Sequence, residues 1–414
     1  MAEEEQETAG PRIGIASGLV MIDDHPEIWL RGFEPNGRVT VTAEAADDKG
    51  NRWQSETSYT LDAEGSRKIA PAPSGKEIIT SMRPATGPGG PVPLFVKLTT
   101  RPVMVEFQAT GENEDFARGI LQLHVFDEAA TLRVEVREGS LQGTLFLPKG
   151  DGPFPVVMWV GGSDGWFTEP RPALLASHGI ATFSVAYFGR EPLPEALCEV
   201  PLEFFDRAMD RLSKEPAVDT GRMGLYGYSK GGELALLLAS RDERIRAVAA
   251  YSPSSFVWQS PWTDQPKSSW TAGGMALPFM PMHITGMMIQ KMRRGRPVAF
   301  REAYEKGMKK NTGKVHEARI PVEKITCPVL LVTGTADAVW PAAAMADEMR
   351  ASIRAAGGTV THLKYDGAGH MITLPGLPAP EALDDLIFGG SSEVTSHAVD
   401  DAWAKMVAFF MENL

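Results

Sequence analysis

Five residues, Gly227-Tyr228-Ser229-Lys230-Gly231, constrain this chain more than any other stretch. The apolar run Met223–Tyr226 precedes them and reads as a strand. Gly232–Ala239 follows and reads as a buried helix. A strand, a sharp turn and a helix are what a Gly-x-Ser-x-Gly nucleophile elbow requires. The turn holds its serine in strained backbone geometry, and the small flanking residues let strand and helix approach. Ser229 Oγ is therefore expected to project from the turn, beside a helix N-terminus that favours negative charge. A glycine-rich βα turn with an incidental serine has the same letters. The flanks and the residues downstream decide between the two.

A serine hydroxyl is a poor nucleophile until a base takes its proton, and the base is usually a histidine oriented by a carboxylate. After this elbow the expected order is Ser, then Asp or Glu, then His. Asp337 stands just past the strand-like run Leu331-Val332-Thr333, at the sheet edge where active-site groups gather. His370 stands in the glycine-rich Asp366-Gly367-Ala368-Gly369-His370, after the last expected strand. We read Asp337 as the orienter and His370 as the base. Asp366 is the weaker alternative, only four residues before His370 on the same loop. His283 and His316 lie in an insertion, His362 within a strand and His397 at the start of the last helix. An oxyanion needs two preorganised donors. The backbone N–H of Lys230 is one; Gly162 or Ser163, in the loop after Val160, is the other.

The rest of the chain divides by texture. Residues 1–10 read as an acidic disordered tail. From 11 to 136 short β runs alternate with turns, among them Val39–Ala43, Thr57–Leu61, Leu94–Leu98, Val103–Phe107 and Leu121–Val125. That spacing predicts an all-β sandwich. From 137 to 414 strands alternate with helices, which predicts a mostly parallel sheet covered on both faces. Residues 253–320 break that rhythm as an insertion or lid. It carries Met275, Phe279, Met280, Met282, Met287, Met288 and Met292, either an adaptable apolar wall or a small satellite core. A basic run follows, including Arg293, Arg294 and Arg296, in a chain whose formal net charge is −12. It reads as a solvated face or as a receiver of phosphates. The acidic balance argues against a general nucleic-acid binder. Two cysteines, with no zinc-like spacing, imply no disulfide framework and no metal centre. No apolar run reaches membrane-spanning length, and the acidic start is unlike a signal peptide; a cytoplasmic protein is expected.

Several longer stretches carry a resemblance. Gly227-Tyr-Ser-Lys-Gly-Gly-Glu-Leu-Ala-Leu236, Gly143-Thr-Leu-Phe-Leu-Pro148, Ala173-Leu-Leu-Ala-Ser-His-Gly179 and Gly334-Thr-Ala-Asp-Ala-Val-Trp340 resemble the type I acyl-CoA thioesterases and the bile acid-CoA:amino acid N-acyltransferases. Arg31-Gly-Phe-Glu-Pro35 and Ser81-Met-Arg-Pro84 are similar to that family's immunoglobulin-like domain. The resemblance implies an α/β-hydrolase domain behind an immunoglobulin-like β-sandwich. It also implies a triad at Ser229, Asp337 and His370, and acyl-CoA or related acyl ester substrates with no cofactor. With CoA as substrate, Arg293, Arg294 and Arg296 become the candidates for its phosphates. The acyltransferase branch carries cysteine at the nucleophile position, so serine favours water as acceptor. Transfer to an amino acid, and carboxylesterase or peptidase activity without CoA, are the alternatives. The loop Gly161–Trp166 departs from the family's glycine run, and the insertion differs from it.

Overall fold

The computed structural model describes residues 10–15, 18–70, 77–86, 90–163, 168–261, 263, 265–383 and 385–414. Nine of the ten residues of the expected acidic tail, residues 87–89, and residues 164–167 after Val160 lie outside the described residues.

Eight strands form the central sheet: β1 (Thr131–Glu138), β2 (Leu141–Pro148), β3 (Phe154–Val160), β4 (Ala181–Ala186), β5 (Val218–Tyr228), β6 (Ile245–Tyr251), β7 (Val329–Gly334) and β8 (Val360–Tyr365). Their order is β1-β2-β4-β3-β5-β6-β7-β8. β2 runs antiparallel to both neighbours, and β4 through β8 are parallel. This is the α/β-hydrolase fold. Every residue of β4 and β7 is buried, as expected of parallel strands covered on both faces. The helix Glu203–Leu212 shows how the cover is made: Phe204, Phe205, Ala208, Met209 and Leu212 fall on one face and are buried. The order reverses around β3 and β4, so the carboxyl ends of β3 and β5 flank a crevice.

Ahead of this sheet stands the β-sandwich. Its larger sheet orders Val20–Met21, Phe116–His124, Val103–Gly111, Arg38–Ala46, Arg52–Thr60 and Arg83–Pro84. The smaller holds Arg12–Ile15, Ile28–Arg31 and Arg67–Ala70. Burial alternates along Arg38–Ala46 and Val103–Gly111, so one face of each strand meets the core and the other meets solvent. The first segment crosses between sheets, and Val20–Met21 pairs parallel with Phe116–His124, an immunoglobulin-like arrangement.

Three expectations are corrected here. The boundary at 136/137 cuts through β1, which belongs to the central sheet; the turn at Gly139, with φ of 61°, folds β1 back onto β2 as a hairpin. Leu94–Leu98 is not a strand. It is an irregular segment held by Asp48, whose carboxylate accepts from the backbone N–H of Leu98 and of Thr99, both at 2.7 Å. The last helix starts at Ser392, where Ser391 caps it, so His397 lies within the helix and not at its start.

The sandwich also packs directly on the central sheet's cover. One continuous apolar cluster joins Ile22, Val41 and Phe107 to Ala402, Trp403 and Met406 of Ser392–Asn413. Polar ties reinforce it. Asp23 accepts from Trp403 Nε1 at 2.7 Å and pairs with His178 Nε2 at 2.6 Å. Glu381 accepts from Val92 N–H at 2.9 Å.

Candidate active site

Ser229 sits between β5 and the helix Lys230–Ala239 with φ of 55° and ψ of −119°. A non-glycine residue there is strained, and the surroundings must enforce it. They do so by proximity. A Cβ on Gly227 would lie 2.0 Å from Gly231 O, and one on Gly231 would lie 2.2 Å from Gly161 O. The glycines are therefore required by close packing of strand, turn and the loop after β3. Ser229 N–H donates to Tyr251 O at 2.8 Å, which pins the turn to β6.

The loops after β7 and β8 bring the two partners. His370 Nε2 lies 2.9 Å from Ser229 Oγ, and its Nδ1 lies 2.7 Å from Asp337 Oδ2. An ionised carboxylate only accepts, so Nδ1 carries the hydrogen and Nε2 is left to accept from the serine hydroxyl. All three side chains are buried. Asp337 is fixed through its other oxygen, which accepts from Val339 N–H at 2.8 Å and Trp340 N–H at 3.1 Å. Asp366, the alternative orienter, is exposed and instead accepts from Thr335 Oγ1 at 2.9 Å. His362 bonds Thr333 and Asp347, and His283 contacts Lys310.

A further layer was not legible in the sequence. Ser252 Oγ donates to His370 O at 2.7 Å, and Trp340 Nε1 donates to Ser252 O at 3.0 Å. Arg301 Nη1 donates to Asp337 O at 3.0 Å. Ser252 and Trp340 lie in the loops after β6 and β7 and Arg301 opens the helix Arg301–Lys310; of the three only Trp340 falls in a stretch that carries the family resemblance.

Of the expected oxyanion residues, Lys230 opens the helix after Ser229, so its backbone N–H is one of the unpaired amides at that N-terminus. Gly162 lies against Ser229: a Cβ there would stand 3.4 Å from Ser229 Cβ. Ser163 lines the same cavity as Ser229 and His370. The Lys230 side chain turns away and is buried with Glu233, Nζ to Oε1 at 2.6 Å. Glu233 Oε1 also accepts from Trp270 Nε1 at 2.8 Å. Burial pushes the Glu233 carboxyl up and the Lys230 ammonium down, against the attraction between them.

The cavity above Ser229 has a volume of about 660 Å³. Its apolar wall includes Leu94, Phe188, Leu197, Val339, Leu386 and Phe388. None of the methionines at 275–292 is among its lining residues. Met280 and Met288 are buried instead in a satellite core with Trp258, Phe300 and Tyr304, and Met275 and Met287 are exposed. The apolar wall expected from those methionines is thus built by loops of the sheet and by Leu94 from the sandwich. Arg293, Arg294 and Arg296 are exposed and also outside the lining. Further along the same segment, Val298 pairs with Leu386, a lining residue, and donates its N–H to Asp385 O at 2.9 Å.

The BAAT/acyl-CoA thioester hydrolase C-terminal family model matches residues 200–414, more than half of the chain. The chain belongs to the BAAT/acyl-CoA thioester hydrolase family. A second model, FrsA-like esterase, matches residues 126–260. Among relatives over the full length, human mitochondrial acyl-coenzyme A thioesterase 2 is 30% identical, over 96% of this chain and 83% of that protein. The mouse peroxisomal succinyl-coenzyme A thioesterase is 28% identical, over 95% of this chain and 94% of its own length. Among solved structures, a putative dienelactone hydrolase from Klebsiella pneumoniae aligns over 68% of this chain and 99% of its own, at 18% identity and a TM-score of 0.45. No helix among the described residues is long and apolar enough to cross a membrane.

Proposed function

We propose that this chain is a serine hydrolase that cleaves acyl-CoA thioesters to a free acid and CoA through an acyl-Ser229 intermediate. The relay Asp337–His370–Ser229, at 2.7 and 2.9 Å on the wall of the cavity, carries the reading. Family membership and relatives named as acyl-coenzyme A thioesterases support the substrate class.

His370 Nε2 takes the Ser229 proton as Oγ attacks the thioester carbonyl. Asp337 holds the imidazole in the required tautomer and stabilises the imidazolium. The backbone N–H of Lys230, with Gly162 or Ser163 opposite, receives the oxyanion. The C–S bond then breaks. The imidazolium gives its proton to the departing thiolate, which frees His370 to act as base again; with an ordinary thiol pKa of ~8.5 the leaving group needs far less help from that acid than an amine does. Water enters, His370 takes its proton, and the acyl-serine is hydrolysed. The acyl group and the linear arm of CoA occupy the apolar cavity, while the phosphates reach the rim at Arg293, Arg294 and Arg296. The lining holds no Lys or Arg among the described residues, which supports a charged end lying outside it. The free thiols of Cys198 and Cys327 support a cytoplasmic location.

One panel tests this: acyl-CoAs of several lengths, p-nitrophenyl esters and short peptides, each with and without glycine or taurine. Thioester hydrolysis that is indifferent to the amines is the expected result. Amide formation would make the chain an acyltransferase, and activity confined to esters or peptides would remove CoA from the account.

A further inference from the structure

A second cavity, of about 80 Å³, adjoins the one above Ser229; Leu94, Tyr228 and Met371 line both. It has room for several waters or for the carboxyl end of a short acid. Most of its wall is apolar, and it reaches Gly161 and Gly162 in the loop after β3.

Two cations line it, and they differ. Lys97 is satisfied: its Nζ pairs with Asp48 at 3.2 Å and donates to Thr99 O at 2.5 Å. Arg171, in the first turn of the helix Pro170–Ser177, is partly buried and has no carboxylate partner among the described residues. Its guanidinium lies over the rings of Trp159, Tyr226 and Tyr228, with Cζ 5.5, 5.8 and 5.7 Å from their centroids. Its hydrogen bond among the described residues runs from Nη1 to Tyr226 Oη at 3.1 Å. Glu169, two residues earlier, is engaged by Arg133 and Thr144. A guanidinium has five N–H donors in one plane. The aromatic bed fixes that plane and neutralises none of its charge.

No aspartate or glutamate lines the cavity among the described residues. A fixed cationic fork beside an apolar wall matches a carboxylate on a short hydrocarbon chain. The planar anion takes two parallel N–H bonds, and the chain takes the wall. A phosphate would press its remaining charged oxygens against that wall, at a cost in desolvation. We propose that this cavity is a carboxylate subsite with Arg171 as its anion receptor. The carboxylate can arrive on a free acid or at the far end of an acyl group on Ser229. Tyr228 and Met371, in contact through Oη and Sδ, partition the two cavities, which favours the free acid. An acid bound there puts negative charge beside Gly161 and Gly162 and opposes the oxyanion expected at that loop. It therefore lowers kcat, whereas an acid in the Ser229 cavity raises KM. This regulation rests on the thioesterase reading, whose product is such an acid; the binding does not.

The test is hydrolysis of a p-nitrophenyl ester by wild type with butyrate or with butyramide, its neutral isostere. Butyrate is expected to lower kcat and butyramide to leave it unchanged. In Arg171→Gln, folded by its melting temperature, the same fall in kcat should need about tenfold more butyrate or more. Arg171→Lys should lie between the two, keeping the charge and losing the fork. Because Arg171 packs on three rings, Leu374→Trp is a second variant, which fills the cavity, leaves the guanidinium in place and should abolish the effect on kcat. Glutaryl-CoA against pentanoyl-CoA separates the sources. A preference for glutaryl-CoA that falls about tenfold in Arg171→Gln assigns the carboxylate to the acyl group. Equal kcat/KM for the two in both proteins, with the butyrate effect present, assigns it to the free acid. Butyramide that acts like butyrate overturns the subsite. So does butyrate that acts alike on wild type, Arg171→Gln and Leu374→Trp, with no Arg171-dependent preference for glutaryl-CoA. Calorimetric titration of butyrate into Ser229→Ala, with and without Arg171→Gln, reads the same binding without turnover. Arg171-dependent binding in a chain that hydrolyses no thioester would sink the proposed activity and leave the subsite intact.

Discussion

Ser229 is held at positive φ by the close approaches at Gly227 and Gly231, and its hydroxyl lies 2.9 Å from His370 Nε2. Ser229→Ala keeps the backbone and removes the nucleophile. Turnover should fall on the order of 10⁶-fold with the melting temperature unchanged or raised. A folded variant with near-normal rates would exclude Ser229. Asp337→Asn keeps the hydrogen-bonded geometry and leaves His370 in the wrong tautomer, at a cost on the order of 10⁴ in kcat. Asp366→Asn should be mild, because Asp366 bonds Thr335 and not His370; the reverse ranking would mean the wrong carboxylate was chosen. These residues were legible in sequence because each sits in a short motif at the end of a strand. Ser252, Arg301 and Trp340, which hold His370 and Asp337, were not. Their contribution is a contact between loops far apart in the chain, and periodicity carries no trace of it.

At the level of elements, the nucleophile helix is tied to the insertion by the buried Lys230–Glu233 pair, through Trp270 Nε1 and the carbonyl of Trp258. Glu233→Ala strands the ammonium and the indole N–H together. It should destabilise the fold by about 3–5 kcal/mol, read as a lower midpoint in urea. A variant as stable as wild type would show the pair to be dispensable. The sandwich is tied on by His178 and Asp23. Hydrogen bonding to Asp23 raises the His178 pKa above its ordinary 6.5. A raised folded pKa gives stability that is fully present below about 6.5 and is lost as pH climbs through the folded value. The melting temperature of wild type should therefore fall with rising pH above neutrality more than that of His178→Gln. Identical slopes would remove the pair from the account. Strand and helix positions in the sheet followed from the alternation of apolar runs. The Leu94–Leu98 run misled because its apolar residues do not enter a sheet. Leu94 lines the cavity and Phe95 packs on Trp53.

For the molecule as a whole, two layers meet at one cavity. The α/β sheet supplies Ser229, Asp337 and His370, and the sandwich supplies Leu94. The architecture was readable because parallel and antiparallel strands bury their side chains differently. The role of the methionines was not, since a run of methionines reads alike in a core, on a surface or in a binding wall. Charge reversal at Arg293, Arg294 and Arg296 should raise KM for acyl-CoA, most at low salt, and leave a neutral p-nitrophenyl ester unaffected. An unchanged ratio of kcat/KM between the two substrates would place the phosphates elsewhere. The central claim is tested most directly by stopping the reaction of wild type with an acyl-CoA in acid within the first turnover. Digestion and mass spectrometry should then find the acyl group on the peptide carrying Ser229, with free CoA released in equal amount and no adduct in Ser229→Ala. CoA released with no acyl group on that peptide, or an undiminished release by Ser229→Ala, would contradict it.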